Sequence, residues 1–398
     1  MSLRQPFPHF RRNFCSSSIL KARRSTKTTT QPIPHETFRG EETDLEAGIF
    51  HFNVERSSFR DNVLPRRLRQ TSNVKSLILG SNLFNFAAAD WDELPTKLQT
   101  ALRHVIRLPT LERLAILNYK NLPASLLSGA SFSKLSIHSA KFLKSRPHER
   151  KNTPSDIVTR LKAFDFSLTP LSSIRALVRD RISTDSLAID FSCLHSLSVG
   201  LWEADEVATF KEVMKVLPNL KFLDCSGEVS SSLAACQSLK TLVLLFQIVD
   251  ELQDPLFGLP DVLSEMSGDN VLEELLINAH VQDHNSCRTD AIWGRLDDVL
   301  SRSAFHALRR VSVKIIIWLD DICFSNKELE ELQLGARHRY ALKEELEKIG
   351  GSQFTWLSNA RNVKFDLSVR VITSAQSDFD PEIRRYLQSD VLCNMYSQ

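Results

Sequence analysis

The densest group of metal-capable side chains is His280, Asp283, His284 and Cys287, within eight residues. His280 and His284 would share a face only on a helix, and Asn285-Ser286 argue for a loop there. Zinc sites commonly offer a ligand pair at each end of the motif, and a second pair is missing here. A solvated polar loop is the expectation. The carboxylate pairs Asp297-Asp298 and Asp320-Asp321 are adjacent in sequence. On a helix, neighbours point about 100° apart, so such pairs do not readily share a proton as an acid–base dyad must. Solvated acids are expected instead. Cys225 occupies a position where the repeat pattern wants an apolar residue such as leucine, so it reads as a small buried hydrophobe. The twelve glycines are dispersed, with no GxGxxG or GxxxxGK phosphate loop. Neither a GxSxG elbow nor an HExxH helix is present. No catalytic residue, cofactor or metal site is therefore expected, and the chain reads as a non-enzyme.

The elements that would carry a site follow a repeated junction. Leu217-Pro218-Asn219-Leu220 ends a helix-like segment and enters a strand-like one, as Leu108-Pro109-Thr110-Leu111 does earlier. Apolar residues at offsets 0, +3 and +5 from such a junction begin with Val74/Leu77/Leu79, Leu111/Leu114/Ile116 and Phe132/Leu135/Ile137. Leu161/Phe164/Phe166, Leu194/Leu197/Val199 and Leu220/Leu223/Cys225 come next. Leu239/Leu242/Leu244, Leu272/Leu275/Ile277 and Leu308/Val311/Val313 complete the series, with anchors 19 to 37 residues apart. In a chain that is 42% apolar, such a triple arises by chance roughly thirty times. Its weight comes from what surrounds it: polar or turn residues just before the anchors and amphipathic helices in several of the long gaps. Leu94, Leu98, Ala101, Leu102 and Val105 line one such helix. Val207, Phe210, Val213 and Met214 line a second, and Ile292, Leu296, Val299 and Leu300 a third. Leu329/Leu332/Leu334 fits the triple, yet Glu328, Glu330 and Glu331 suit an exposed helix equally well. Val363, Phe365, Leu367 and Val369 alternate as a last strand. Asp380-Pro381 opens a final helix.

Strand, crossover helix and strand at this spacing predict an α/β fold. It would be an irregular leucine-rich-repeat solenoid, a curved parallel sheet with helices on its convex side. The domains expected are a disordered basic tail (1–35), an N-terminal capping segment (36–72), the repeat region (73–375) and a C-terminal capping helix (376–398). Phe50, Phe52 and Val54 alternate as a short strand within the cap. With side chains alternating between core and face, the concave face would carry twelve candidate protein-binding residues. In the first half these are Arg113, Lys134, His138, Asp165, Phe222 and Asp224. In the second they are Leu245, Glu274, Leu276, Asn278, Arg310 and Lys314.

Asp92-Glu93-Leu94-Pro95, the two Leu-Pro junctions, Ile189-Asp190-Phe191-Ser192-Cys193-Leu194 and Asn362–Val369 together resemble a known group. These are the leucine-rich-repeat regions of fungal, especially basidiomycete, F-box-type proteins, with the likeness running from about residue 73 to 375. It implies a substrate-receptor or adaptor role, often within cullin-based ubiquitin ligases, and so ubiquitin-dependent degradation. No F-box is recognisable in residues 1–72, which leaves the cullin-ligase adaptor open as a partner. The Asn of the standard repeat, three residues after the +5 position, occurs only as Asn82.

Charge points the same way. Residues 1–35 hold seven Lys or Arg and no acid; removing those seven leaves 43 basic against 48 acidic residues. The body is thus mildly acidic, which does not favour nucleic acid as its partner. The basic N-terminus, with the composition of a mitochondrial transit peptide, supports the alternative of a nucleic-acid-associated or organelle-targeted protein. The basic stretch Lys141, Lys144, Arg146, Arg150 and Lys151 reads as an insertion between repeats. Seven scattered cysteines without a CxxC pair read as reduced thiols, hence a cytoplasmic or nuclear location. No apolar run is long enough to span a membrane.

Overall fold

The +3 and +5 positions of all nine triples are buried, and each row runs through neighbouring strands in strict register. That register is what alternation requires, because a one-residue slip would carry the leucines to the other face. The computed structural model describes residues 49–53, 63–80, 88–143, 159–167, 189–201, 217–227, 236–248, 258–266, 270–281, 292–319 and 326–373, with a few single residues between. Within these, one eleven-stranded sheet contains β1 (Ile49–Asn53), β2 (Ser76–Gly80), β3 (Arg113–Leu117), β4 (Lys134–His138) and β5 (Ala163–Ser167). It continues through β6 (Ser196–Leu201), β7 (Phe222–Gly227), β8 (Thr241–Ile248), β9 (Glu274–Val281), β10 (Arg310–Leu319) and β11 (Lys364–Thr373).

Every pairing in this sheet is parallel, and the strands follow one another in chain order with none skipped. The fold is α/β with a large parallel sheet. β1 falls inside the segment assigned to a cap, so the sheet begins before residue 73. The expected tail (1–35) and C-terminal helix (376–398) lie outside the described residues, as do Asn82, Asp320 and Asp321.

Two of the three expected amphipathic helices stand where their apolar faces predict them; the third, expected over Val207, Phe210, Val213 and Met214, lies only partly within the described residues. Helix α1 (Val63–Gln70) packs against α2 (Thr96–Ile106), which buries Leu98, Ala101, Leu102, Val105 and Ile106. Arg107, Leu108 and Pro109 then end α2, and the Thr110 hydroxyl donates to the Ser72 carbonyl at 3.0 Å. Later come α3 (Leu259–Ser264) and α4 (Ile292–Leu300), which buries Trp293, Leu296, Val299 and Leu300. These side chains join the +3 and +5 rows in one continuous core. A fully buried leucine in such a core contributes about 1.5–3 kcal/mol relative to exposure.

The segment around Leu329, Leu332 and Leu334 is helical: α5 runs from Asn326 to Gln353 and is followed by α6 (Thr355–Asn359). Helix α5 lies on β10 and β11. Gly350 allows the close approach, since a Cβ there would stand 2.1 Å from Leu367 Cδ2. Asp297 is not a solvated acid. It is buried in α4, where its carboxylate accepts from the Trp356 and Leu357 amides at 2.7 and 2.9 Å and so caps α6. Asp298 is exposed, as expected.

Candidate functional site

The face opposite the buried rows is built from alternate residues of the same strands, and it holds all twelve candidate positions in three rows. The first row, at the strand starts, places Arg113 beside Lys134, then Phe222 on β7, and Glu274 beside Arg310. The second row includes Asp165, Asp224 and Leu276, with Val243 between the last two. The third includes His138, Leu245, Asn278 and Lys314. Arg113, Lys134 and Arg310 are exposed, and the other nine are half-buried. Strands lie about 4.8 Å apart, so β3 to β10 spans about 34 Å. The candidates do not converge on one point; they line an extended surface.

Two local clusters carry polar chemistry. His138 Nδ1 is 2.6 Å from Ser167 Oγ, and its Nε2 is 3.3 Å from Asp165 Oδ2. Asp165 and Ser167 share a face because they are two apart on β5, and His138 faces them from β4 by register. A serine, a histidine and a carboxylate thus meet. Acyl transfer would also need paired backbone N–H groups aimed at a developing oxyanion. In a strand paired on both sides those groups are committed to the ladder. This cluster was missed in the sequence because only the register between β4 and β5 brings Ser167 and Asp165 to His138.

The second cluster was missed for a different reason. Strands β8 to β11 run eight to ten residues, so additional outward positions exist beyond the three rows. Ile316 and Ile372 are buried there with Trp318 packed against them. His280 is buried on the same face, and Trp318 Nε1 donates to its Nδ1 at 3.3 Å. Burial pulls the imidazole down to about 3, so the ring is neutral at physiological pH. Asp283, His284 and Cys287 lie outside the described residues, and among those described no three metal-capable side chains gather.

Cys225 is buried in the +5 row, where burial first and the Asp224 carboxylate second push its thiol up, away from nucleophilic use. Burial likewise pushes Cys236 up to about 12. Of the basic insertion only Lys141 is described, with its carbonyl accepting from the Leu122 amide at 3.0 Å.

Asn118 was also missed. It follows β3 two residues after the +5 position, with φ 55°, and its carbonyl accepts from the Ala89 amide at 3.0 Å. A short polar side chain tolerates this left-handed conformation. No helix among the described residues is long and apolar enough to cross a membrane. Comparisons of the chain with protein-family models and with curated protein sequences found no match.

Proposed function

We propose that this chain is a non-catalytic protein-interaction scaffold, built as an irregular leucine-rich-repeat solenoid that offers its outward sheet face to a protein partner. One observation supports this above the others: a chain-order parallel sheet presenting three registered rows of mixed polar, charged and apolar side chains over eight consecutive strands. Half-buried Val243, Leu245 and Leu276 rimmed by charge are what a protein interface uses at its centre. The F-box-type resemblance suggests a substrate receptor of a cullin-based ubiquitin ligase, with a cytoplasmic or nuclear location.

The test is affinity purification with the Arg310→Glu/Lys314→Glu double variant. The reading expects at least one protein partner to be lost; retention of all partners overturns the outward face as the binding surface. Co-precipitation of a cullin adaptor by the full chain would support the ligase version, and its clean absence leaves a free scaffold. The charge of residues 1–35 favours a second reading, a nucleic-acid-associated or organelle-targeted protein. It requires salt-sensitive RNA or DNA binding that disappears on deleting residues 1–35. Organelle import of a C-terminally tagged fusion would be its other sign.

A further inference from the structure

The starts of the strands carry an ordering that the outward rows do not. The Lys75 carbonyl accepts from both the Glu112 and Arg113 amides, at 2.8 and 3.0 Å. The Lys162 carbonyl does the same for His195 and Ser196, the His195 carbonyl for Lys221 and Phe222, and the Lys221 carbonyl for Lys240 and Thr241. This forked acceptance fixes the residue before each strand as a rung of the ladder. Cations stand at that rung or the next position on β2, β3, β4, β5, β7 and β8: Lys75, Arg113, Lys134, Lys162, Lys221 and Lys240. His195 fills the place on β6.

All seven are exposed, and Glu112 is the one carboxylate within the run. Of these seven, only Lys240 has a salt-bridge partner among the described residues, Glu273 at 2.6 Å, which ends the run at β9. Like charges held side by side across a sheet are destabilising. An anion laid along this edge would relieve that repulsion. In a chain whose body is net acidic, so much cationic charge on one edge is a segregation rather than an average.

We propose that this basic edge binds an extended acidic peptide segment of a partner protein, running across the strand starts from β2 to β8. The proposal rests on the protein-binding reading above and adds to it a chemically defined edge, which shares Arg113 and Lys134 with the first outward row. Seven strands span about 29 Å, which an extended peptide of nine or ten residues covers. A single-stranded nucleic acid would want an aromatic platform for successive bases. The edge has two rings, His195 and Phe222, for seven strands.

Fluorescence anisotropy of a labelled ten-residue oligoglutamate with the full chain at low salt is the test. Binding is expected to weaken about ten-fold in the Lys162→Glu/Lys221→Glu variant, and to weaken with added salt as exposed charges are screened. Lys97→Glu/Lys348→Glu, which changes net charge equally at exposed helix positions, should leave it within about two-fold. Thermal melts of the variants establish that each is folded. Unchanged affinity in the edge variant overturns the proposal, and so does equal weakening in the control. Displacement of the peptide by an equally charged single-stranded oligonucleotide that binds more tightly also overturns it. Absence of peptide binding, with partner capture still lost in Arg310→Glu/Lys314→Glu, sinks the edge alone. Failure of both sinks the scaffold reading with it.

Discussion

β1 to β5 are five residues long, β6 and β7 six, β8 and β9 eight, and β10 and β11 ten. One fold therefore solves the same problem differently at its two ends. In the first part a strand stops at the sixth offset because the next residue leaves the β region: Asn118 at φ 55° after β3, Ser139 at φ 50° after β4. The chain then enters two-residue parallel ladders, such as Ala89–Asp90 with Tyr119–Lys120 and Leu122–Pro123 with Phe142–Leu143. In the last part Ala279, Ile315 and Val369 occupy that seventh offset as ordinary buried strand residues. The longer strands then have outward apolar positions to cover, which is why Ile316, Trp318 and Ile372 form a cluster of their own. Strand length decides whether the outward face is polar and open or acquires a second apolar layer.

The largest effect should come at the transition between the two regimes. Gly227 ends β7 at φ +99°, and a Cβ there would stand 1.9 Å from the Leu201 carbonyl oxygen. Gly227→Ala combines left-handed strain with a backbone clash and should cost roughly 3 kcal/mol or more in a urea titration. Next in size are matched truncations in the +3 row. Leu114 and Leu275 are both fully buried. Each substitution to Ala should cost about 2–5 kcal/mol. If the sheet unfolds as one unit, both variants shift a single transition. If neighbouring strands uncouple, Leu114→Ala splits off an early phase and Leu275→Ala does not.

A pH titration probes the long-strand end alone. The folded value of His280 lies below its unfolded value near 6.5, so its neutral form is the one the fold prefers. Its contribution is intact above about pH 6.5, where neither state is protonated. As pH falls toward 3 the unfolded state takes up the proton first, and stability declines by up to about 1.4 kcal/mol per pH unit. His280→Gln should flatten that slope; an unaltered slope removes His280 from the account. The smallest effect has the opposite sign. Ser139→Gly frees a left-handed residue of its Cβ cost and should raise stability by about 0.5 kcal/mol in the same denaturation assay.

Legibility in the sequence divides along the same line. The 0, +3 and +5 triples located nine of the eleven strands, and the alternation at Phe50–Val54 and Val363–Val369 found the two at the ends. Those signals are strong because burial acts on side-chain type at fixed spacing. The helical faces of α2 and α4 were readable for the same reason, as was the face each strand presents. The strand-end turns were not, since Asn118 and Ser139 differ in type and share only a backbone angle. Asp297 read as a surface acid because the amides it caps lie almost sixty residues downstream. The contacts of His138 with Asp165 and Ser167 needed the register between β4 and β5. Of the face, the sequence could give the members of each row, and only the register could tell which of them touch.

The chain-order sheet has a mechanical consequence. Each strand is bonded only to the strands before and after it in the chain. A force applied between the two ends therefore loads the ladder one rung at a time, as a zipper, and no distant strand shares the load. Extension under tension should proceed as a staircase. The anchors stand 19 to 37 residues apart. Each tread should therefore release about 65 to 130 Å of chain.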